Sequence, residues 1–137
     1  MKRFSTLLLA AALTAFTLAC GYNSPSTTPA VAGNVPTITA LSPDSETSGG
    51  AAFTLTVNGT LFSSTATINW NGTALATTYV SANQLTAPVT AADIAAAATV
   101  PITVTNPAVA GTGGSGGYGG SGGTLAETSA PMDFTVN

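Results

Sequence analysis

The chain has 137 residues, of which 45% are hydrophobic and only 5% charged, a composition that suits one small folded domain with additional segments. Its only basic residues are Lys2 and Arg3, so the rest of the chain cannot neutralise phosphates, and a nucleic-acid partner is excluded. With no His and a single Cys near the N-terminus, the chain lacks the usual general bases and zinc ligands, so we expect no catalytic residue, no metal site and no cofactor.

The N-terminal segment has the pattern of an export signal. Lys2 and Arg3 precede a largely apolar run over residues 4–19. As a helix, this run would span only ~24 Å, which is shorter than the ~30 Å hydrocarbon core of a bilayer, so a permanent transmembrane helix is the weaker interpretation. We therefore predict a helical signal peptide over residues 1–19.

The end of this run, Thr17-Leu18-Ala19-Cys20, resembles a bacterial lipobox. The resemblance implies cleavage before Cys20 and a diacylated N-terminal cysteine, although Thr17 stands where the family usually has Leu. The alternative is an ordinary signal cleavage that leaves Cys20 as a free thiol, which is a liability in an oxidising compartment. We predict lipidation at Cys20, and Gly21 favours the outer membrane or cell surface by resemblance to enterobacterial sorting.

Residues 20–35 have no sustained periodicity and include two prolines. This composition predicts a flexible tether between the lipid anchor and a folded domain over residues 36–137.

The clearest strand pattern of that domain lies between Phe53 and Val80, which also includes the only Trp. Apolar residues alternate with polar ones from Phe53 to Val57 and again from Ala66 to Trp70, which predicts strands with one buried face. Asn58-Gly59 predicts a turn, and Asn71-Gly72 predicts a type I′ hairpin. Further strands are predicted over residues 36–43, 84–89, 100–106 and 132–137, the first of them as an edge strand because prolines flank it.

One short helical element is expected. Thr90 and Asp93 have the spacing of a capping box, which predicts a single helical turn over residues 94–98.

Seven segments of the domain have the order and spacing of a known family: Ile38 to Pro43, Gly49-Gly50, Phe53 to Gly59, Phe62, Ile68 to Thr73, Ser81 to Leu85 and Val104 to Pro107. Together they resemble the IPT/TIG domain, an immunoglobulin-like fold shared by transcription factors and plexins. The resemblance implies an all-β immunoglobulin-like sandwich of about seven strands, without common catalytic residues, and bacterial members that are mostly extracellular modules. DNA contacts in the transcription-factor branch depend on basic loops, which this chain lacks.

A glycine-rich insertion over residues 108–124 departs from that family. Nine of the thirteen residues from Gly111 to Gly123 are Gly, so we predict a mobile loop. Its letters match a dinucleotide fingerprint, but no helix is predicted to follow that could hold a pyrophosphate.

Few side chains are candidates for recognition. Tyr118, in the insertion, and Tyr79 are the candidate partner or glycan contacts, whereas the alternation places Trp70 in the core. Asp44 and Glu46 share a loop but offer too few oxygens for Ca²⁺. We therefore predict a non-enzymatic envelope lipoprotein, attached to the membrane through its N-terminal lipid, whose immunoglobulin-like domain is an interaction or structural module. Its expected partners are other envelope proteins or glycans. The alternative is a carbohydrate-binding accessory module at the cell surface.

Overall fold

The computed structural model describes residues 30–111 and 122–137. The predicted signal peptide, Cys20 and Tyr118 lie outside these residues. Within the described part the chain forms strands and turns, and no helix there is long and apolar enough to span a bilayer. The strands are β1 (Thr37–Ser42), β2 (Ser45–Glu46), β3 (Phe53–Thr60), β4 (Thr67–Trp70), β5 (Thr73–Ala74), β6 (Thr78–Ser81), β7 (Gln84–Val89), β8 (Ala98–Asn106), β9 (Glu127–Thr128) and β10 (Met132–Val136).

These strands form two sheets, as expected for an immunoglobulin-like sandwich. One sheet has the order β1-β3-β7-β6, and the other has the order β2-β10-β8-β4-β5, with β9 also paired to β8. All pairings are antiparallel except β2 with β10. The all-β prediction is therefore confirmed, and β1 lies at a sheet edge as its flanking prolines predicted.

The core lies between the two sheets and follows the predicted alternation. In β3, Leu55 and Val57 are fully buried, while Thr56 between them is partly exposed and Thr54 is exposed. Trp70 is only 6% exposed, which confirms its predicted place in the core. The ring of Phe134 lies at the centre of the core, and its centroid is 5.0 Å from that of the Trp70 ring and 5.6 Å from that of the Phe53 ring.

The predicted hairpin at Asn71-Gly72 is confirmed. Trp70 pairs with Thr73, and the two residues between them have positive φ, 47° at Asn71 and 80° at Gly72. A type I′ turn requires this conformation at both central residues.

The predicted turn at Asn58-Gly59 is wrong, because both residues lie inside β3 and Gly59 pairs with Ile38. Gly59 is required there for a different reason. A Cβ at this position would collide with the Thr37 carbonyl oxygen and the Phe62 ring, so only glycine lets β1 and Phe62 approach this closely. The chain turns two residues later, at Leu61, whose φ of 62° costs a non-glycine residue about 1 kcal/mol.

The predicted helical turn over residues 94–98 is also wrong, although its capping interaction forms. The Thr90 backbone N–H and hydroxyl both donate to Asp93 Oδ2, at 2.9 and 2.7 Å. The Ile94 carbonyl, however, accepts from Gly49 N at 2.8 Å, and Ala98 already pairs with Val136 as β8 begins. Tertiary pairing thus takes the backbone groups that a helix would need.

The pairing register gives the sandwich two distinct ends. At one end, which we call the tether end, β1 begins beside the end of β3, through the pair Thr37 and Thr60. At the other, which we call the far end, lie the Asn71-Gly72 hairpin and the loop over residues 90–97. Since β8 has nine residues, the two ends are ~30 Å apart.

Candidate interaction surface

The carboxylates of the described residues form no cluster suited to metal binding or acid–base catalysis. No group of three or more metal-ligating side chains occurs within residues 30–111 and 122–137. Asp44 is exposed and accepts a hydrogen bond from the neighbouring Ser45 hydroxyl at 3.2 Å, whereas Asp93 caps the 90–97 loop. These carboxylates have local structural partners.

Tyr79 is the one exposed aromatic side chain among the described residues, with 40% of its surface accessible. It lies on β6, next to Val80, which is 52% exposed. Phe53 packs against the core instead, and Tyr118 cannot be placed because it is not among the described residues. A row of exposed rings, which a sugar-binding platform requires, is therefore not found in this part of the chain.

Besides the Tyr79 side chain, the backbone of β6 is available for binding. β6 ends the order of its sheet and pairs only with β7, so its other side is an open edge. All four residues of β6 are exposed, and the chain from Thr73 to Thr90 carries no charge. Natural proteins usually protect such an edge with charged residues or proline. β6 has neither, and its protection consists of its length of four residues and a shift in register between Tyr79 and Ser81.

A second surface lies at the tether end and is organised by Asn106, which is only 8% exposed. Its Oδ1 accepts from Ser63 N at 2.9 Å, and its Nδ2 donates to the carbonyls of Asn34 and Leu61 at 2.9 and 2.8 Å. One side chain therefore joins three segments. Sequence reasoning missed this role, although a polar residue that continues the buried positions of β8 was a usable signal.

Four exposed aliphatic side chains lie around Asn106, and we call this surface the apolar end: Val31, Leu61, Val109 and Leu125. The Val31 N–H donates to the Gly123 carbonyl at 2.9 Å, and the Leu125 N–H donates to the Val31 carbonyl at 3.0 Å. Thr124 forms bridges with both Val31 and Val109, and Leu61 lines a shallow cavity of about 390 Å³ with Val109 and Leu125. The exposed fractions are Val31 58%, Leu61 52%, Val109 61% and Leu125 53%.

The last part of the predicted tether is thus attached to the domain. Besides Val31 and Asn34, Gly33 N donates to Glu127 Oε1 at 3.2 Å. The described part of the chain therefore begins, at residue 30, next to the apolar end.

Comparison with known proteins agrees with this architecture. Residues 36–119, more than half of the chain, match the family model of the IPT/TIG domain. Neither the curated proteins nor the solved structures contain a match to the chain. On the strength of the family match and of the two-sheet fold, the chain belongs to the IPT/TIG domain family.

Proposed function

We propose that this protein is an exported lipoprotein whose IPT/TIG domain is a binding module for other proteins of the cell envelope. The family match supports an immunoglobulin-like interaction or structural module. The sequence from Lys2 to Cys20 supports export and lipidation. The single observation that carries the binding role is the open, uncharged edge of β6.

An open edge strand suits recognition through the backbone. Its unpaired N–H and C=O groups can hydrogen-bond to an extended segment of a partner, while exposed side chains give specificity. On β6 those side chains are Tyr79 and Val80, a ring with a hydroxyl and a β-branched residue that both favour strand pairing. The partner is therefore an extended protein segment that adds to the β1-β3-β7-β6 sheet beside β6.

The carbohydrate-binding alternative has weaker support. Tyr79 is a single exposed ring with no aromatic neighbour on β6, so it offers a sugar at most one stacking contact.

Photo-cross-linking from position 79 tests the proposed edge. Tyr79 is replaced by p-benzoylphenylalanine in intact cells, a chemistry that suits a chain with no Lys after residue 2. We expect one discrete cross-linked protein. The charge introduced by Val80→Lys should abolish it, because a lysine on an edge strand blocks strand addition. Val80→Lys should leave the free energy of unfolding within about 0.5 kcal/mol of wild type, since the position is exposed.

The matched control carries the same photo-reactive residue at Ala96, which is exposed at the far end. A cross-linked partner that forms equally from positions 79 and 96, or that persists in Val80→Lys, would show that the β6 edge is not the interface.

A further inference from the structure

The apolar end differs from an ordinary solvated loop region in the number of aliphatic side chains that it exposes and in how firmly their segments are joined. It gathers Val31, Leu61, Val109 and Leu125, four of the seven large hydrophobic side chains that are exposed in the described residues. They come from four separate segments, joined by backbone hydrogen bonds and by Asn106. The fold therefore assembles this surface from distant parts of the sequence.

Leu61 also has an unfavourable backbone conformation. It is half exposed and also has a φ of 62°, a conformation that Gly or Asn adopts far more easily than Leu. In the isolated domain about half of the Leu61 side chain gains nothing from burial, so a contact outside the domain is the more economical explanation of a bulky aliphatic residue here.

Most carboxylates lie at the opposite end of the sandwich from the exposed aliphatic side chains. Asp44, Glu46 and Asp93 all lie toward the far end, as shown by the pairing of β2 with the end of β10 and by the 90–97 loop. Only Glu127 lies at the tether end, where its carboxylate accepts a hydrogen bond from Gly33 N. One end of the sandwich is thus apolar and the other acidic.

The chain that leads to the N-terminus starts within the apolar end. Only ten residues, 21–30, separate Cys20 from Val31, so even a fully extended chain places Val31 within ~40 Å of the cysteine. If Cys20 is lipidated, the bilayer is the nearest large apolar phase, and the tether end is the part of the domain that reaches it first.

We propose that the apolar end rests on the bilayer that holds the lipidated Cys20, with its aliphatic side chains in the boundary between headgroups and acyl chains. This inference depends on the proposed lipid anchor. A short apolar patch binds lipid weakly alone, but an anchor raises its local concentration at the membrane. The sandwich then stands upright, with the acidic far end turned away from the surface. Since the tether end has no basic side chain, the contact does not require anionic lipid and persists at high salt.

Fluorescence quenching in vesicles tests this orientation with the full, acylated chain. Cys20 is the only natural cysteine, so once it is acylated a single introduced cysteine takes the label. We would place an environment-sensitive fluorophore at Val109→Cys and, as the matched control, at Ala96→Cys on the far end. In phosphatidylcholine vesicles with spin-labelled acyl chains, we expect a blue-shifted, strongly quenched signal from position 109 and an unquenched signal from position 96.

A second variant tests whether the aliphatic side chains cause the contact. Leu61→Asn with Leu125→Asn, in the Val109→Cys background, removes apolar surface at exposed positions, and Asn suits the backbone of residue 61. The population of the quenched state should fall roughly tenfold relative to the unquenched state.

Each contrary outcome is distinct. Vesicle flotation with no quenching at position 109, or with equal quenching at positions 109 and 96, overturns the inference and leaves the anchor intact. Failure of the acylated preparation to float overturns the anchor and the inference together. A blue shift at position 109 that rises with protein concentration in the absence of lipid assigns the apolar end to a second copy of the chain and likewise overturns the inference.

Discussion

Replacing Phe134 with Ala should lower the free energy of unfolding by about 3–5 kcal/mol, the largest effect we expect from any single substitution in the domain. Phe134 is fully buried and lies between the rings of Trp70 and Phe53. Its removal leaves a cavity that two rigid neighbouring rings cannot easily fill, and it abolishes two aromatic pairs. Domains of this size are stable by only about 5–15 kcal/mol, so the variant should be close to unfolding.

Urea denaturation followed by Trp70 fluorescence measures this effect, since Trp70 is the only Trp and contacts Phe134. The neighbouring residue provides the control. Thr135 is exposed in the same strand, and Thr135→Ala should change stability by less than about 0.5 kcal/mol. Similar losses in the two variants would mean that β10 does not alternate between core and solvent as described.

Replacing Asn106 with Ala should cost about 2–3 kcal/mol, a large effect for a polar residue. The variant leaves Ser63 N–H and the carbonyls of Asn34 and Leu61 without the partner that they share. A buried donor or acceptor that loses its hydrogen-bond partner is still kept from water, so its full desolvation penalty is lost from the stability of the fold. Hydrogen exchange should accelerate selectively at the Ser63 amide, whose acceptor is lost.

Asn69 gives a matched control for this variant. Its Nδ2 donates to the hydroxyls of Thr103 and Thr105, which are partly exposed and can bond to water instead. Asn69→Ala should therefore cost no more than about 1 kcal/mol. If Asn106→Ala is as mild as Asn69→Ala, Asn106 does not hold the tether end together.

The sequence predicted the long strands well because burial on one face forces a period of two. It could not predict β2 and β9, since each has two residues and is too short to alternate. The same dipeptide also gave opposite results at two places. Asn71-Gly72 forms the predicted turn, whereas Asn58-Gly59 continues a strand because β1 and Phe62 pack against Gly59. Only tertiary contacts distinguish the two.

The candidate surfaces were predictable to different degrees. Tyr79 could be singled out as a candidate contact because the chain has few aromatic residues outside its predicted core, and its role in binding stays a prediction. The apolar end was not, because Val31, Leu61, Val109 and Leu125 are far apart along the chain and each is unremarkable alone. The fold brings them together only through the pairing of residue 31 with residues 123–125 and through Asn106.

Membrane attachment through Cys20 is the claim on which the proposed function most depends, and Cys20→Ala tests it most directly. Cells that produce wild-type protein or the variant are fractionated, and the membranes are washed with alkaline carbonate. We expect wild-type protein in the washed membranes, with an N-terminal peptide that begins at Cys20 and carries the mass of attached acyl chains. Cys20→Ala should carry no acyl chains, and those of its chains that are cleaved from the leader should appear in the soluble fraction, because the apolar end alone binds lipid only weakly and reversibly. If Cys20→Ala cleaved from the leader stays in the washed membranes as wild type does, the lipid anchor is wrong.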